Sequence, residues 1–257
     1  MAAPFLDLWR YRELFYVLVW RDITTRYKQT TVGIAWAIIQ PFITMIVFSF
    51  LFGTLVKIET GSIPYPIFVY TGLLFWTFFS RSITTASESI IANRNIVNNV
   101  YFPRLLLPIA ASVVNLVDFF FSLFVLILLM VYFQFIPQLL GVFFIPVALM
   151  CILFLAVGIG SVIASLNVKY RDVRFIVPYA LQVALLLTPV LYPLSLAEEK
   201  YTFLFFLNPM TNILETIRAL LFGIEISIII PMGLSLIGSI IIFFAGTTYF
   251  NQTEKYF

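Results

Sequence analysis

Residues 105–133 read LLLPIAASVVNLVDFFFSLFVLILLMVYF, and Asp118 is the only charged residue in this run. A helix needs about 20 consecutive apolar residues to span the hydrocarbon core of a bilayer. The run is longer than that and predicts a membrane-spanning helix. The whole chain is similar in character, with 62% hydrophobic residues, 11% charged residues and a mean hydropathy of +1.05. Its 257 residues therefore predict an integral membrane protein rather than one or two soluble domains.

Five further segments on either side of this run have the length and apolar character of a membrane span. We therefore expect an all-α integral membrane fold with a six-span core over residues 32–249. The predicted spans, in chain order, are Val32–Val56, Ile63–Ser80, Leu105–Phe133, Gly141–Leu166, Phe175–Leu194 and Ile226–Tyr249.

The Lys and Arg residues are distributed unevenly over the connections between these spans. Twelve of the 15 lie before span one, between spans two and three, between spans four and five, or after span six. The other three, on the opposite side, are Lys57, Lys200 and Arg218. Cytoplasmic loops carry the excess of positive charge in membrane proteins. Both termini are therefore predicted to be cytoplasmic.

The segment before span one predicts a helix over residues 4–28. On a helical wheel Phe5, Trp9, Tyr16 and Trp20 fall within one narrow arc. This pattern favours a helix that lies in the cytoplasmic headgroup layer. The alternative is a helix packed on the cytoplasmic surface of the protein itself.

Residues 195–225 differ from a simple loop. The apolar segments Tyr201–Leu207 and Thr211–Phe222 are too short to cross a bilayer, and Asn208-Pro209 between them is a turn signal that can start a helix. We predict two short re-entrant helices that dip from the outer face. Irregular backbone at membrane depth is tolerated where it lines a cavity, so the hairpin would help to line a pathway. An external amphipathic hairpin with a purely structural role is the alternative.

Several functions are excluded by residues that the sequence lacks. It has no His, which removes the usual proton shuttle and the commonest metal ligand, and the single Cys151 gives no disulfide framework. It has no Gly-x-x-x-x-Gly-Lys-Ser/Thr phosphate loop, so ATP would be bound by another polypeptide. The basic residues are explained by topology rather than by nucleic-acid binding.

The start of span one carries candidates for the wall of a pathway. Gly33 permits a bend or a close approach, and Gln40-Pro41 interrupts the helical hydrogen bonds about two turns deeper. These features suit a helix that faces a hydrated cavity, so Gly33, Trp36, Ala37, Gln40 and Pro41 are predicted to line the pathway. A proline kink that only shapes packing is the alternative.

Polar residues inside other apolar segments are further pathway candidates. A charge such as Asp118 costs roughly 2.5–3.5 kcal/mol at the centre of a spanning helix, so we expect it to face protein or water, or to be neutral. Asn115 lies one turn before it on the same face, and we expect structural pairing of these two residues, for which a hydrogen bond across a dimer interface is one arrangement. Contact with a substrate is the alternative. The hydroxyl of Tyr70 also needs a partner in hydrocarbon. Glu215 and Arg218 are three residues apart, which is the spacing of an ion pair on a helix surface.

Six short motifs occur in order along the chain. They are RYKQTTVGIAW over residues 26–36 with QP at 40–41, NRNIV over 93–97, VYFPR over 100–104, NVKYRDV over 167–173, NP at 208–209 and TEKYF over 253–257. In order and spacing these motifs resemble those of the ABC-2 family of ATP-driven exporters, and specifically of its polysaccharide branch of Wzm type.

The resemblance implies the ABC-2, or type V exporter, fold in one transmembrane domain over residues 1–257, with a cytoplasmic tail over 250–257. It implies a homodimer of permeases, each docked on a separate ATP-binding subunit of Wzt type. Mg-ATP would be bound by that subunit, so this chain would carry no cofactor and would not be an enzyme. The substrate implied is undecaprenyl-linked O-antigen or a related polysaccharide, moved outward across the bacterial inner membrane.

The resemblance also assigns roles to particular residues. The first cytoplasmic loop would form the coupling helix, which Asn93 or Asn95 can cap. An ordinary solvated loop is the alternative. Arg171 and Asp172 would form a second docking contact, although a purely local ion pair explains them equally well. Asn208 and Pro209 would start the extracellular re-entrant gate. The full set for coupling is Asn93, Arg94, Asn95, Ile96, Val97, Arg171 and Asp172, and the set for the gate is Asn208, Pro209, Glu215 and Arg218.

Two other functions remain open from the sequence. One is an ABC-2 permease for teichoic acid, capsule, lipid or drug efflux. The other, more remote, is a membrane-embedded glycosyltransferase. That enzyme would need convergent carboxylates, and the chain offers only Glu198 with Glu199, and Glu215 near Arg218.

Overall fold

The computed structural model describes residues 10–28, 35–58, 60–61, 63–170, 172–196, 198–224 and 229–254. All the regular elements within these ranges are helices, and no strand occurs there, which confirms the all-α prediction. A 3₁₀ turn lies at Leu194–Leu196, and a π-helical segment, Ser49–Leu55, continues the second helix. The α-helices are α1 (Arg12–Lys28), α2 (Ala35–Phe48), α3 (Tyr65–Ala92), α4 (Arg94–Asn99), α5 (Leu106–Tyr132), α6 (Leu139–Lys169), α7 (Val173–Leu187), α8 (Glu199–Phe206), α9 (Pro209–Phe222) and α10 (Ile229–Thr253).

Four helices in the described ranges are long and apolar enough to cross a membrane, and they match predicted spans one, three, four and six. They cover Ile38–Leu55, Leu106–Tyr132, Leu139–Lys169 and Ile230–Thr253. The chain is therefore an integral membrane protein. The count of six spans stays a prediction, because α3 is long but more polar and α7 has only 15 residues.

Two helices differ in extent from the predicted spans that contain them. Helix α3 continues to Ala92, beyond the predicted end of span two at Ser80. Helix α7 ends at Leu187, before the predicted end of span five at Leu194. Thr188 has the extended backbone (φ −101°, ψ 137°) that a residue before proline prefers, and Pro189 follows it. Hydropathy continues through this break, so it did not reveal the end of the helix.

Helix α3 is the centre of the packing. It contacts α2, α5, α6, α7 and α9, and most of its residues between 65 and 90 are buried. The buried hydroxyls of Thr71, Ser87 and Ser89 donate to carbonyls within α3, as in the bond from Thr71 to Ile67 at 2.8 Å. Those of Tyr65, Tyr70 and Ser82 donate to carbonyls of other segments. These hydroxyl-bearing residues, which make α3 less apolar than a typical span, are buried within the protein.

Small residues bring α6 very close to its neighbours. A Cβ on Gly158 would lie 2.5 Å from the carbonyl oxygen of Ile242 in α10, and one on Gly160 would lie 2.5 Å from the Cβ of Ala86 in α3. Both distances are shorter than any relaxed contact. Close backbone approach of this kind is the usual way in which helices associate in membranes.

Helix α1 has one face on the protein and one face exposed. Leu18 is buried in an apolar cluster that includes Phe102 and Phe250. Tyr16 and Trp20 are exposed and stack on each other with their ring centroids 6.4 Å apart. The helix therefore packs on the protein and also presents aromatic rings outward, and its position in the headgroup layer stays a prediction. Phe5 and Trp9 lie outside the described residues.

The close contact between α6 and α10 leads to a stability prediction. Replacing Gly158 with Ala should lower the free energy of unfolding by about 1–3 kcal/mol, because the new methyl group overlaps backbone atoms that cannot move independently. The loss of stability is measured by thermal unfolding of the detergent-solubilised variant and wild-type chains. The matched control is Gly233→Ala in α10, where a Cβ meets nothing within 4 Å. Equal loss of stability in the two variants would contradict the packing argument.

Candidate functional site

Asp118 in α5 is held by side chains from two other helices. Its Oδ2 atom lies 3.0 Å from Nη1 of Arg26 in α1 and 3.0 Å from Nη1 of Arg81 in α3. The hydroxyl of Tyr27 in α1 donates a hydrogen bond to Oδ1. The expectation that Asp118 pairs with other groups is confirmed, and the partners lie within the same chain.

Two more polar residues extend this arrangement to four helices. Asn115 accepts a hydrogen bond from Arg26 at 3.0 Å and donates one to the hydroxyl of Thr85 at 2.9 Å. Arg81 also donates to the side-chain oxygen of Gln40 in α2 at 2.8 Å. We call this set the Asp118 cluster; its members are Arg26, Tyr27, Gln40, Arg81, Asn115 and Asp118.

The Asp118 cluster is buried at its centre and open at its edge. The side chain of Asp118 is 8% exposed, whereas those of Arg26 and Arg81 are 33% and 28% exposed. Burial, and then the hydrogen bond to Asp118, raise the pKa of the Tyr27 phenol above its ordinary value. Tyr27 is therefore a neutral hydrogen-bond donor at physiological pH.

Sequence reasoning selected Gln40, Asn115 and Asp118 but missed the two arginines as site residues. A signal for them was available, because a carboxylate inside a spanning helix needs compensating cations. Arg26 and Arg81 both lie near predicted membrane boundaries, where a long side chain can reach inward.

A second polar site lies around Arg218 in α9, which is only 1% exposed. Its guanidinium donates to the carbonyl oxygens of Pro189 at 2.5 Å and Val190 at 2.6 Å, and more weakly to that of Phe68 at 3.3 Å. It also lies 3.7 Å from the centre of the Phe68 ring. The predicted ion pair with Glu215 is present, with 3.5 Å between Arg218 Nη1 and Glu215 Oε1. It is not on the helix surface, because both side chains are largely inside the protein.

Arg218 is buried because its guanidinium binds backbone carbonyls exposed by the break after α7. The chain leaves helical geometry at Thr188, so the carbonyl groups that follow have no partners within a helix. Arg218 supplies donors to two of them, and the Tyr65 hydroxyl donates to the carbonyl of Leu191 at 2.7 Å. Gly72 leaves the necessary space, because a Cβ there would lie 2.6 Å from the Val190 carbonyl oxygen.

Helix α9 of the α8–α9 hairpin begins and ends at the residues that the turn signals in the sequence indicated. The side-chain oxygen of Asn208 accepts from the backbone N–H of Met210 at 3.0 Å, and Pro209 occupies the first turn of α9. The amide of Asn208 also donates to Thr188 at 2.9 Å, which ties the hairpin to the end of α7. Gly223 ends α9 in the left-handed conformation, with φ 70°. The predicted helix start and end are confirmed.

The predicted coupling segment contains a short helix, α4, directly after α3. Asn93 precedes it, but its side chain does not cap α4, so that prediction was wrong. The side chain instead donates to the carbonyl of Ser89 at 2.8 Å and accepts from Arg21 of α1 at 2.6 Å. Since α3 ends one residue earlier, Asn93 serves the end of that helix. Arg94 and Asn95 are exposed, Ile96 is half-buried and Val97 is buried.

The remaining candidates are dispersed. Tyr70 is fully buried in α3 and donates to the carbonyl of Ser122 at 3.2 Å. Trp36 is exposed on α2, Pro41 is buried within that helix, and Asp172 is exposed just before α7. Gly33, Arg171 and the side chain of Ala37 lie outside the part of the chain that the structure describes.

Comparison with known proteins identifies the class of membrane protein that this fold and these sites belong to. A family profile described as ABC-2 type transporter matches residues 13–222. This is well over half of the chain, so the chain belongs to the ABC-2 transporter family and is a transport permease.

Individual relatives cover nearly the whole chain. The O-antigen export system permease protein RfbA of Myxococcus xanthus is 30% identical over 98% of this chain and 96% of its own length. A protein of the same name from Klebsiella pneumoniae is 26% identical over 81% of this chain and 80% of its own length. The polysialic acid transport protein KpsM of Escherichia coli is 20% identical over 91% of both chains.

The Arg218 site leads to a second stability prediction. Replacing Arg218 with Met should lower the free energy of unfolding by about 3–5 kcal/mol, because it leaves the Pro189 and Val190 carbonyls without donors and Glu215 without its cation. The loss of stability is measured as the difference in thermal unfolding between the variant and the wild-type chain in detergent.

The control is Lys200→Met, which breaks an ion pair between exposed side chains, Lys200 and Glu198, 2.7 Å apart. Such a pair contributes about 0–1 kcal/mol. The role assigned to Arg218 is wrong if its variant unfolds at the same temperature as the control.

Proposed function

We propose that the chain is the permease subunit of an ATP-driven exporter that moves undecaprenyl-linked O-antigen, or a related polysaccharide, outward across the bacterial inner membrane. The observation that carries the proposal is the similarity to an O-antigen export permease over 98% of this chain. The match to KpsM, over 91% of the chain, keeps a capsular polysaccharide as the alternative substrate.

In the proposed topology α2, α3, α5, α6, α7 and α10 are the six spans, and residues 195–225 form a re-entrant gate on the outer side. Both termini are cytoplasmic, as the distribution of Lys and Arg indicates. The lengths of α8 and α9, 8 and 14 residues, support the gate because neither can cross a bilayer.

Two permease copies form the functional unit in this proposal. Helix α2 and the π-helical segment that continues it support the dimer, because few of their residues are buried in the single chain. The apolar residues Ile43 and Val47 of α2 and Phe50 of the π-helical segment are exposed. An exposed apolar face of this size can contact either lipid or a second copy. A pathway for an extended glycan lies between the copies.

The energy comes from a separate ATP-binding subunit of Wzt type. The absence of a phosphate loop from the sequence supports this division. Helix α4 is the proposed docking element, since Arg94 and Asn95 are exposed while Val97 anchors the helix in an apolar cluster.

The test of this function uses a strain that lacks the gene. Surface polysaccharide should be lost and lipid-linked polysaccharide should accumulate inside the cell, and expression of the wild-type chain should restore export. Arg94→Glu should fail to restore export and should abolish stimulation of the ATP-binding subunit in the purified complex, because it reverses the charge of the docking helix. Surface display and ATP hydrolysis are measured.

The control for this test is Lys57→Glu, which reverses an exposed charge on the predicted outer side, outside the proposed gate. It should export normally and retain stimulation. Normal surface polysaccharide in the deletion strain would refute the proposed function, and full activity of Arg94→Glu would refute the docking role of α4.

The re-entrant gate makes a separate prediction for accessibility. In a Cys151→Ala background, single cysteines at Tyr201 and Leu204 should react with a membrane-impermeant maleimide applied to spheroplasts, because these side chains are exposed. Cysteines at Leu214 and Ile217 should be protected, because these side chains are fully buried. Labelling of intact and permeabilised spheroplasts is compared.

A cysteine at Asn95 is the topology control, since it should react only after permeabilisation. Equal labelling of all four hairpin positions would mean that the hairpin is an exposed loop. Labelling of Asn95 in intact spheroplasts would mean that the proposed orientation is inverted.

A further inference from the structure

The segment between α4 and α5 is bound to the end of α10 by two residues that each use a side chain and a backbone group. Nη1 of Arg104 donates to the backbone carbonyl of Glu254 at 2.7 Å, and the backbone N–H of Arg104 donates to Oε1 of Glu254 at 3.3 Å. Nε of Arg104 lies 3.9 Å from the same carboxylate oxygen. Because backbone groups take part on both sides, the contact fixes the two segments themselves and not only two side chains.

The position of this pair suits the two helix ends that it joins. Arg104 lies just before α5, and Glu254 directly follows α10. A helix carries a partial positive charge at its start and a partial negative charge at its end. The Glu254 carboxylate lies at the start of α5 and the Arg104 guanidinium at the end of α10, so each charge stabilises the helix end that it meets.

Apolar and polar packing near the pair joins the same segments. Phe250, in the last turn of α10, is fully buried in a cluster that also contains Val97 of α4 and Phe102 of the segment that follows it. The hydroxyl of Thr253 donates to that of Ser165 in α6 at 2.9 Å. The end of α10 is therefore packed against the part of the chain that carries α4.

A groove opens between α4 and the end of α10. It has a volume of about 630 Å³, and its lining includes the side chains of Asn98, Asn99, Tyr101 and Asn251. The Tyr101 side chain is 94% exposed. Three amides and an exposed tyrosine suit a protein partner better than hydrocarbon, because Tyr is enriched among the residues that contribute most to protein–protein binding.

The groove is continuous with the proposed docking helix. Arg94 and Asn95 are exposed at the start of α4, and the groove begins at the other end of this helix. A helix of six residues is about 9 Å long, whereas a stable protein interface covers roughly 800 Å² of each partner. A protein that docks on α4 must therefore cover neighbouring surface, and the groove and the end of α10 are that surface.

We propose that the ATP-binding subunit docks on a composite surface formed by α4, Tyr101 and the last turn of α10, and that Arg104 and Glu254 are positioning residues that hold its two halves together. The identity of the partner rests on the proposed function, whereas the composite surface rests on the contacts between the two segments. Movement of the docked subunit then reaches α10 directly, in addition to α3.

The test measures the affinity of the purified ATP-binding subunit for the full chain in nanodiscs. Tyr101→Ala should weaken binding by about tenfold or more, because it truncates an exposed aromatic side chain of the kind that anchors interfaces. Asn251→Trp should also weaken binding, because it fills the α10 side of the groove. The matched control is Tyr132→Ala, which changes an exposed tyrosine at the opposite end of α5 and should bind as wild type does.

Three further variants test the positioning role. Arg104→Gln and Glu254→Gln should each weaken binding of the subunit, and the double variant should lose no more than the weaker single variant, because both changes break one contact. Arg104→Lys, which keeps the charge, should fall between wild type and Arg104→Gln. A purely structural role predicts lower thermal stability with unchanged affinity of the folded chain, so thermal unfolding is measured on the same samples.

Each result supports or overturns the proposal. Loss of affinity in Tyr101→Ala and Asn251→Trp, but not in Tyr132→Ala, supports the composite surface. Wild-type affinity of Asn251→Trp would mean that the partner docks on α4 alone, and additive losses in the double variant would overturn the positioning role. Wild-type affinity of all these variants, in a chain that restores export, would refute this inference alone. The expected losses of affinity, in a chain that does not restore export, would refute only the proposed function.

Discussion

Every backbone polar group inside a bilayer must find a partner within the protein, and the region around the end of α7 depends on that constraint. Helix α7 stops at Leu187, and the carbonyl groups of residues 189–191 follow in irregular backbone. Arg218 and Tyr65 satisfy them from α9 and α3. The α8–α9 hairpin is therefore bound to the spans by the same interactions that make the break in α7 tolerable.

The contacts of α1 depend on the matching constraint for side-chain charge. A carboxylate such as Asp118 within an apolar helix is costly unless it is paired with cations, and the cations here come from α1 and α3. The hydrogen bond from Arg81 to Gln40 adds α2, which is otherwise sparsely buried. One carboxylate thus connects α1 to α2, α3 and α5.

Features that depend on neighbouring residues could be predicted from the sequence, and those that join distant residues could not. The run of apolar residues predicted α5 almost to the residue, and Asn208-Pro209 and Gly223 marked the ends of α9 because turn chemistry is local. The partners of Asp118 are 37 and 92 residues away in the chain, and those of Arg218 include residues 28 and 29 away. No periodicity encodes such pairs. The end of α7 was misplaced because hydropathy measures composition and does not detect the extended backbone before Pro189.

The glycine contacts of α6 have a mechanical consequence. Side chains between two helices act as a compliant layer that lets the helices slide, and Gly158 removes that layer where α6 meets α10. Gly160 does the same where α6 meets α3. These three helices should consequently move as one stiff body. Among the proposed spans outside that body, α2 and α7 contact it least. Widening of a conduit for a sugar chain should then come from displacement of these two helices.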